Sequence, residues 1–448
     1  MSEASEKARK TAMTVVLEGL AAADPRKAVK RSLRLENGEL IVKETRIPLK
    51  GKVVVVGAGK ATGGMASAVE EILGDKISAG AISVPEELVG EYDLKRIKVL
   101  GATHPKASEK SVKAGKEIVS LVKECGEGDL VIALFSGGGS ALMEYPVEGV
   151  TIEDIRDVSV AMMNAGADIV ELNAVRKHLS RVKGGWLAKH AYPAFVLCLM
   201  ISDVVGDRMD TIASGPTVPD LTTFQQAAEA MKRRGVWDSA PPSVRDYITK
   251  GLKGEAPETP KPGDPVFEKV KNVVIASNIE SLRAMKRKAE SLGYNALILT
   301  SFLEGEAREV GKVAVAIAKE VRRTGNPIPP PAVVLAGGET TVTVRGKGRG
   351  GRNQELALSA AISLEGLDGV AIAAIGSDGR DGPTDAAGAV VDGFTVIKAK
   401  KAGLDPLKFL DDNNSYEFFK AVGGHVKTGY TGTNVNDFLA IVVEKLEK

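Results

Sequence analysis

The run VVVVGAGKATGG, residues 53–64, decides the fold. Four consecutive valines are too β-branched and too uniformly apolar for a surface helix or a half-exposed strand. They read as a strand buried on both faces. Gly57-Ala58-Gly59 is the turn that ends it, and residues 61–73 carry the helix that follows. Buried strand, glycine turn and helix, in that order, open a parallel βαβ unit. The same alternation recurs downstream, with a helix over residues 111–123 and continuous apolar strands at Leu130–Phe135 and Phe195–Ile201. Upstream, residues 3–33 predict one helix, Ala-rich and free of strand formers. The clearest boundary is KGEAPETPKPGDP, residues 253–265, whose four prolines forbid a helix or central strand. Beyond it strands recur near residues 273–276, 296–300, 333–336, 370–375 and 439–443, with helices over 281–292 and 307–323. The expected class is therefore α/β with two domains, residues 1–255 and 266–448.

Bulk properties narrow the function. A chain of 448 residues exceeds one ordinary core. Its 60 basic and 58 acidic residues leave a net charge of +2, no basis for a nucleic-acid or membrane-surface partner. The two cysteines, Cys125 and Cys198, stand in no ligand spacing, which argues against a disulfide scaffold or structural zinc. No secretory signal is visible, and the longest apolar stretches fall short of the roughly 20 residues of a membrane span. A cytoplasmic protein is expected. A homodimer is left open.

Four glycine-rich segments follow apolar strands directly, where open α/β sheets bind ligands. In the first, Gly57 and Gly59 flank a tight turn, and Lys60 adds a charge at a helix N-terminus. A GxGxxG fingerprint fails there because Thr62 stands in place of the last glycine, and no Walker A lysine-hydroxyl pair is present. The second, Ser136-Gly137-Gly138-Gly139-Ser140, lets backbone amides approach a phosphate unhindered by side chains. The third holds Asp203 and Asp207, which are either Mg²⁺ ligands or turn residues. The fourth begins at Gly337-Gly338-Glu339 and runs to Arg352, Asn353 and Gln354 at a helix start, an arrangement suited to bidentate anion binding. Asp378, Asp381 and Asp385 then crowd one short loop, able to hold a metal or assist deprotonation. Histidine is scarce, four in all, and none lies in a zinc-protease or hydrolase context. Abundant Lys, Arg, Asp and Gly suit phosphoryl transfer, which needs positioning and charge neutralisation more than a covalent nucleophile.

Together the motifs SGGGSAL (136–142), SDVVGD (202–207), SGPT (214–217), GGETTVTVRGKGRGGRNQELAL (337–358), SDGRDGPTDAAGA (377–389) and TGTNVND (431–437) resemble the glycerate 2-kinase family over nearly the whole chain. The C-terminal half of that family is known as the MOFRL domain. The resemblance implies transfer of the ATP γ-phosphoryl group to the 2-hydroxyl of D-glycerate, giving 2-phosphoglycerate and ADP, with Mg²⁺ required. It also implies a Rossmann-like three-layer N-terminal domain, a smaller C-terminal α/β domain and an active site in the cleft between them. The family's catalytic lysine and arginine fall on Lys60 and Arg352, expected to grip the glycerate carboxylate and the transferring phosphoryl group. One departure is local: Pro105 is followed by Lys106-Ala107-Ser108, where the family commonly has Pro-Asp. The alternatives are an NAD(P)-dependent hydroxypyruvate reductase, disfavoured by the failed fingerprint, and a non-catalytic nucleotide or sugar-acid sensor.

Overall fold

The structure, a computed structural model, describes residues 2–445. Val53–Ala58 is a strand with every residue buried, as its valines require. It lies near the middle of a six-stranded sheet ordered Lys98–Ala102, Ile77–Pro85, Val53–Ala58, Leu130–Phe135, Phe195–Ile201 and Val270–Ala276. The first five strands pair in parallel. From Val53–Ala58 the chain moves outward through two strands, then returns to its other side at Leu130–Phe135. The strand order therefore reverses between those two neighbours, the point at which α/β sheets of this kind open a crevice. Helices Thr62–Leu73 and Glu109–Lys123 are the crossovers that bring this about.

Beyond residue 150 the chain adds a helical block. Ile152–Asn164, Ile169–His178, Phe224–Arg233 and Pro242–Leu252 pack Val158, Met162, Val175, Met231 and Ile248 into a core of their own. Thr151, Asp168 and Thr223 each start one of these helices with a reciprocal capping box.

A second six-stranded sheet is ordered Asn295–Leu303, Ala332–Gly338, Asp437–Val443, Val370–Gly376, Gly388–Asp392 and His425–Val426. Only its first pair is parallel. The last long strand, Asp437–Val443, inserts antiparallel between Ala332–Gly338 and Val370–Gly376. In consequence Asp437 is in register with both Gly338 and Gly376, where two strands end and a third begins.

Two compact units result, and they divide the chain differently from the expected 1–255 and 266–448. One comprises Pro25–Ser202 and Asp207–Ile275; the other comprises the chain through Asp24, the segment Asp203–Gly206 and everything from Ala276 onward. The proline-rich stretch is no divider. Asp220 N–H donates to the Pro260 carbonyl at 2.9 Å and Thr259 Oγ1 to the Asp220 carboxylate at 3.0 Å, so the stretch is tied down before the chain rejoins the first sheet as Val270–Ala276. The single helix expected over residues 3–33 is also two, Glu3–Ala23 and Pro25–Ser32, because Asp24 leaves the helical region ahead of Pro25. The first of these belongs to the second sheet. Ser5 Oγ donates to Asp368 at 2.7 Å, Arg9 pairs with Asp392 at 2.8 Å, and Gly19 lies against Met285 and Phe438. A three-stranded antiparallel ribbon, Leu33–Glu36, Glu39–Val42 and Thr45–Pro48, follows the second helix. No described helix is long and apolar enough to cross a membrane.

Candidate active site

The Lys60 turn and the triple-glycine loop meet at the strand-order reversal. Lys60 N–H donates to the Gly137 carbonyl at 2.9 Å, and Ser136 Oγ accepts from Ala61 N–H at 3.0 Å. Gly59 permits this approach: its φ is +146° and a Cβ there would sit 2.1 Å from Ser136 Oγ. Gly138, at φ +84°, has the His104 ring on one side and the Lys60 stem on the other, 3.0 and 3.4 Å from where a Cβ would be. Burial, together with the neighbouring Lys60 charge, pushes His104 down to about 4. Its imidazole is therefore neutral at pH 7. Ser140 Oγ lies 2.7 Å from Ser214 Oγ, which in turn donates to Asn173 Oδ1 at 3.3 Å. Ala213 and Ser214 are held at φ 50° and 60°, a conformation costing roughly 1–2 kcal/mol per residue outside glycine. That strain presents the Ser214 hydroxyl to the glycine loop.

Beside Gly138 and His104 lies a cavity of about 250 Å³ whose wall includes Ser140, Glu144, Ser159, Arg176 and Lys183. Lys183 is fully buried, ion-pairs with the equally buried Glu144, and also reaches the Met143 carbonyl. Burial lowers the Lys183 pKa, and Glu144 opposes the shift. Glu144 further accepts from Ser180 Oγ at 2.5 Å and Tyr145 N–H at 3.0 Å.

The other group of expected residues gathers at the edge shared by Ala332–Gly338, Val370–Gly376 and Asp437–Val443. Arg352 is the first residue of helix Arg352–Leu364. Its Nε and Nη2 donate to the two Asp437 oxygens at 2.5 and 3.0 Å, and its Nη1 to Glu339 at 2.6 Å. Burial raises Asp437 to about 6 against the pull of Arg352. Burial works against the Arg352 charge too, yet Asp437 holds the guanidinium above its usual range. Asp381, 2% exposed, caps the same helix. It accepts from Asn353 N–H at 3.0 Å and Gln354 N–H at 2.8 Å, and from both side-chain amides. Its pKa is raised by burial, with those four bonds resisting.

The predicted residues thus separate by job. Gly138 and Ser140 line the cavity, with the Lys60 stem against Gly138, while Gly137 and Gly139 are buried; Arg352 and Glu339 sit at the end of the other sheet. Ser136, Asn353 and Asp381 are buried and bonded to the loops they brace. Asp203 and Asp207 occupy the loop after Phe195–Ile201, with Asp207 at φ 53°. Asp378 caps Arg380 N–H at 3.0 Å with one oxygen. Among the described residues no three His, Cys, Asp or Glu side chains come together as a metal cage. A nucleotide-borne Mg²⁺ needs only one or two carboxylates besides phosphates; Asp381 and Asp437 are already engaged by the bonds above.

Arg176, Lys183, Glu144 and Asn173 were not anticipated. In RKHLSRVKGG, residues 176–185, five of ten residues are basic or histidine, and such a run reads as a solvated face. Two signals were present. Asn173 and Arg176 are three apart on a helix, so they share a face, and Lys183 precedes a Gly-Gly turn much as Lys60 follows a glycine.

A domain of unknown function, DUF4147, matches residues 11–249, and the MOFRL family matches residues 332–437. The chain is 46% identical to the glycerate 2-kinase of Pyrococcus horikoshii over 98% of both proteins. The crystal structure of a glycerate kinase from Thermotoga maritima superposes with a TM-score of 0.87 at 40% identity, covering 98% of this chain and all of that one. A relative from Agrobacterium vitis, 44% identical over 88% of each chain, carries a provisional hydroxypyruvate reductase name.

Proposed function

The chain belongs to the glycerate 2-kinase family, and we propose that it is a cytoplasmic enzyme transferring the ATP γ-phosphoryl group to the 2-hydroxyl of D-glycerate. The observation that carries the proposal is the junction of Lys60 with the triple-glycine loop, fastened by the Lys60 N–H to Gly137 bond at 2.9 Å. A loop free of Cβ atoms beside a lysine, at a strand-order reversal, supplies amides and charge for phosphate oxygens. In this mechanism Lys60 offsets charge on the transferring phosphoryl group, and Arg352 is the anion-binding cation of the second unit. Such fixed cations are worth most in a site screened from water. Asp437 and Glu339 keep the Arg352 fork in one orientation, and Asp381 fixes the helix start from which it projects. Mg²⁺ accompanying ATP would supply further neutralisation, with a carboxylate of the 202–207 loop or of the 377–385 loop (Asp203, Asp207 or Asp378) proposed to reach it.

Coupled detection of ADP release with D-glycerate tests the proposal, and no glycerate-dependent turnover would reject it. The reductase reading predicts oxidation of NAD(P)H by hydroxypyruvate instead. Against it, Thr62 fills the site of the third fingerprint glycine, and its hydroxyl lies 3.3 Å from the Leu134 carbonyl.

A further inference from the structure

The cavity beside Gly138 contains a cation, Arg176, that has no ion-pair partner among the described residues; Glu144 favours its charge only from a distance. Arg176 lines it, half-buried, and its Nε donates to Ser159 Oγ at 3.1 Å. Among the described residues this is the only hydrogen bond of its guanidinium, and no carboxylate lies within ion-pair distance. The nearest candidate, Glu144, is already taken by Lys183, Ser180 and Tyr145 N–H. Burial accordingly pulls Arg176 below its ordinary range. Both outer nitrogens of this half-buried guanidinium are unused by the protein, and its planar fork matches a carboxylate.

Size and lining restrict that anion. At about 250 Å³ the cavity is smaller than the roughly 300–1,000 Å³ of pockets that take drug-sized ligands. A three-carbon acid suits it; a nucleoside triphosphate does not. Buried Ile152 and Ile155, with the more exposed Val160 and Met163, form an apolar side of the cavity opposite the polar groups. Ser140, at the end of the triple-glycine loop, belongs to the same wall, so the cavity adjoins the phosphate-binding loop.

We propose that Arg176 binds the carboxylate of the acceptor acid inside this cavity, and thereby selects an acid over a neutral polyol. This rests on the kinase reading above and leaves Lys60 for the phosphoryl group. Ser159 is a positioning residue that holds the guanidinium by its Nε.

Arg176→Gln, Arg176→Lys and Ser159→Ala would be compared with wild type in steady-state kinetics and in calorimetric titration with D-glycerate. For Arg176→Gln the KM for D-glycerate and the calorimetric Kd should rise about 10–100-fold. The KM for ATP should stay within about twofold, and the preference for D-glycerate over glycerol should fall by a similar 10–100-fold. Arg176→Lys should recover part of the loss, and Ser159→Ala should show a smaller shift of the same kind. A rise in the KM for ATP instead, or an unchanged glycerate Kd in both Arg176 variants, would overturn the assignment. Calorimetry separates the two proposals. Wild type that binds D-glycerate but does not phosphorylate it refutes the kinase while leaving the Arg176 result intact.

Discussion

Lys183→Met is the most informative single change in the first unit. The Lys183 and Glu144 side chains are 1% and 2% exposed and pair directly. The ammonium has one further partner, the Met143 carbonyl at 3.4 Å, whereas the carboxylate keeps Ser180 Oγ and Tyr145 N–H after the lysine is gone. Methionine fills much of the lysine volume, so the loss is chiefly that of the countercharge. An uncompensated charge left inside a protein costs about 3–5 kcal/mol. For a unit of this size 1 kcal/mol is worth about 3 °C, which predicts a fall in Tm of about 9–15 °C by scanning calorimetry. Glu144→Gln combined with Lys183→Met removes both charges and keeps an acceptor for Ser180. That double variant should lie within about 1–2 kcal/mol of wild type, recovering about 2–3 kcal/mol of the loss. A single variant that melts within 3 °C of wild type, or a double variant no better than the single, would refute the reasoning.

Three further predictions concern charge at the two clusters. Lys60 helps hold His104 at about 4, so Lys60→Met should move the His104 pKa upward in an NMR histidine titration; an unchanged value would remove Lys60 from contact with that ring. Asp437 is raised to about 6 from 3.8, so the stability of its protonated form is present at low pH and is lost as pH rises through 6. Above that pH the carboxylate is charged and fixes Arg352, so kcat/KM should show an acid limb near pH 6. Asp437→Asn should abolish that limb and lower kcat/KM about 10–100-fold, through two weakened charge-assisted bonds. Asp381→Ala should cost about 2–3 kcal/mol in thermal unfolding by orphaning the amides of Asn353 and Gln354, with Asp381→Asn recovering part.

Local chemistry was readable in the sequence wherever one short run determines it. Four valines before a glycine turn can hardly be anything but a buried strand, and Val53–Ala58 is one. The alternation of strands and helices likewise announced two α/β units. Strand order was not readable, because it depends on contacts between residues far apart. The reversal between Val53–Ala58 and Leu130–Phe135 has no local mark, nor does the insertion of Asp437–Val443 between two earlier strands. Helix Glu3–Ala23 joins the far half of the chain through Ser5, Arg9 and Gly19, contacts that no window of sequence contains. Lys60 and Arg352 stood out as candidates because each adjoins glycines after a strand. Arg176 and Lys183 did not, since nothing in a basic run shows that its members are buried. The proline-rich stretch misled for a related reason: prolines forbid regular structure but do not say whether the segment packs, and Thr259 does.

Phosphorylation of D-glycerate at its 2-hydroxyl is open to ³¹P NMR of the product formed from ATP and D-glycerate. A single new phosphomonoester identical to 2-phosphoglycerate is expected, formed at equal rate with ADP and lost in both Lys60→Met and Arg352→Gln. A 3-phosphoglycerate signal, or ADP release that does not depend on glycerate, would contradict it.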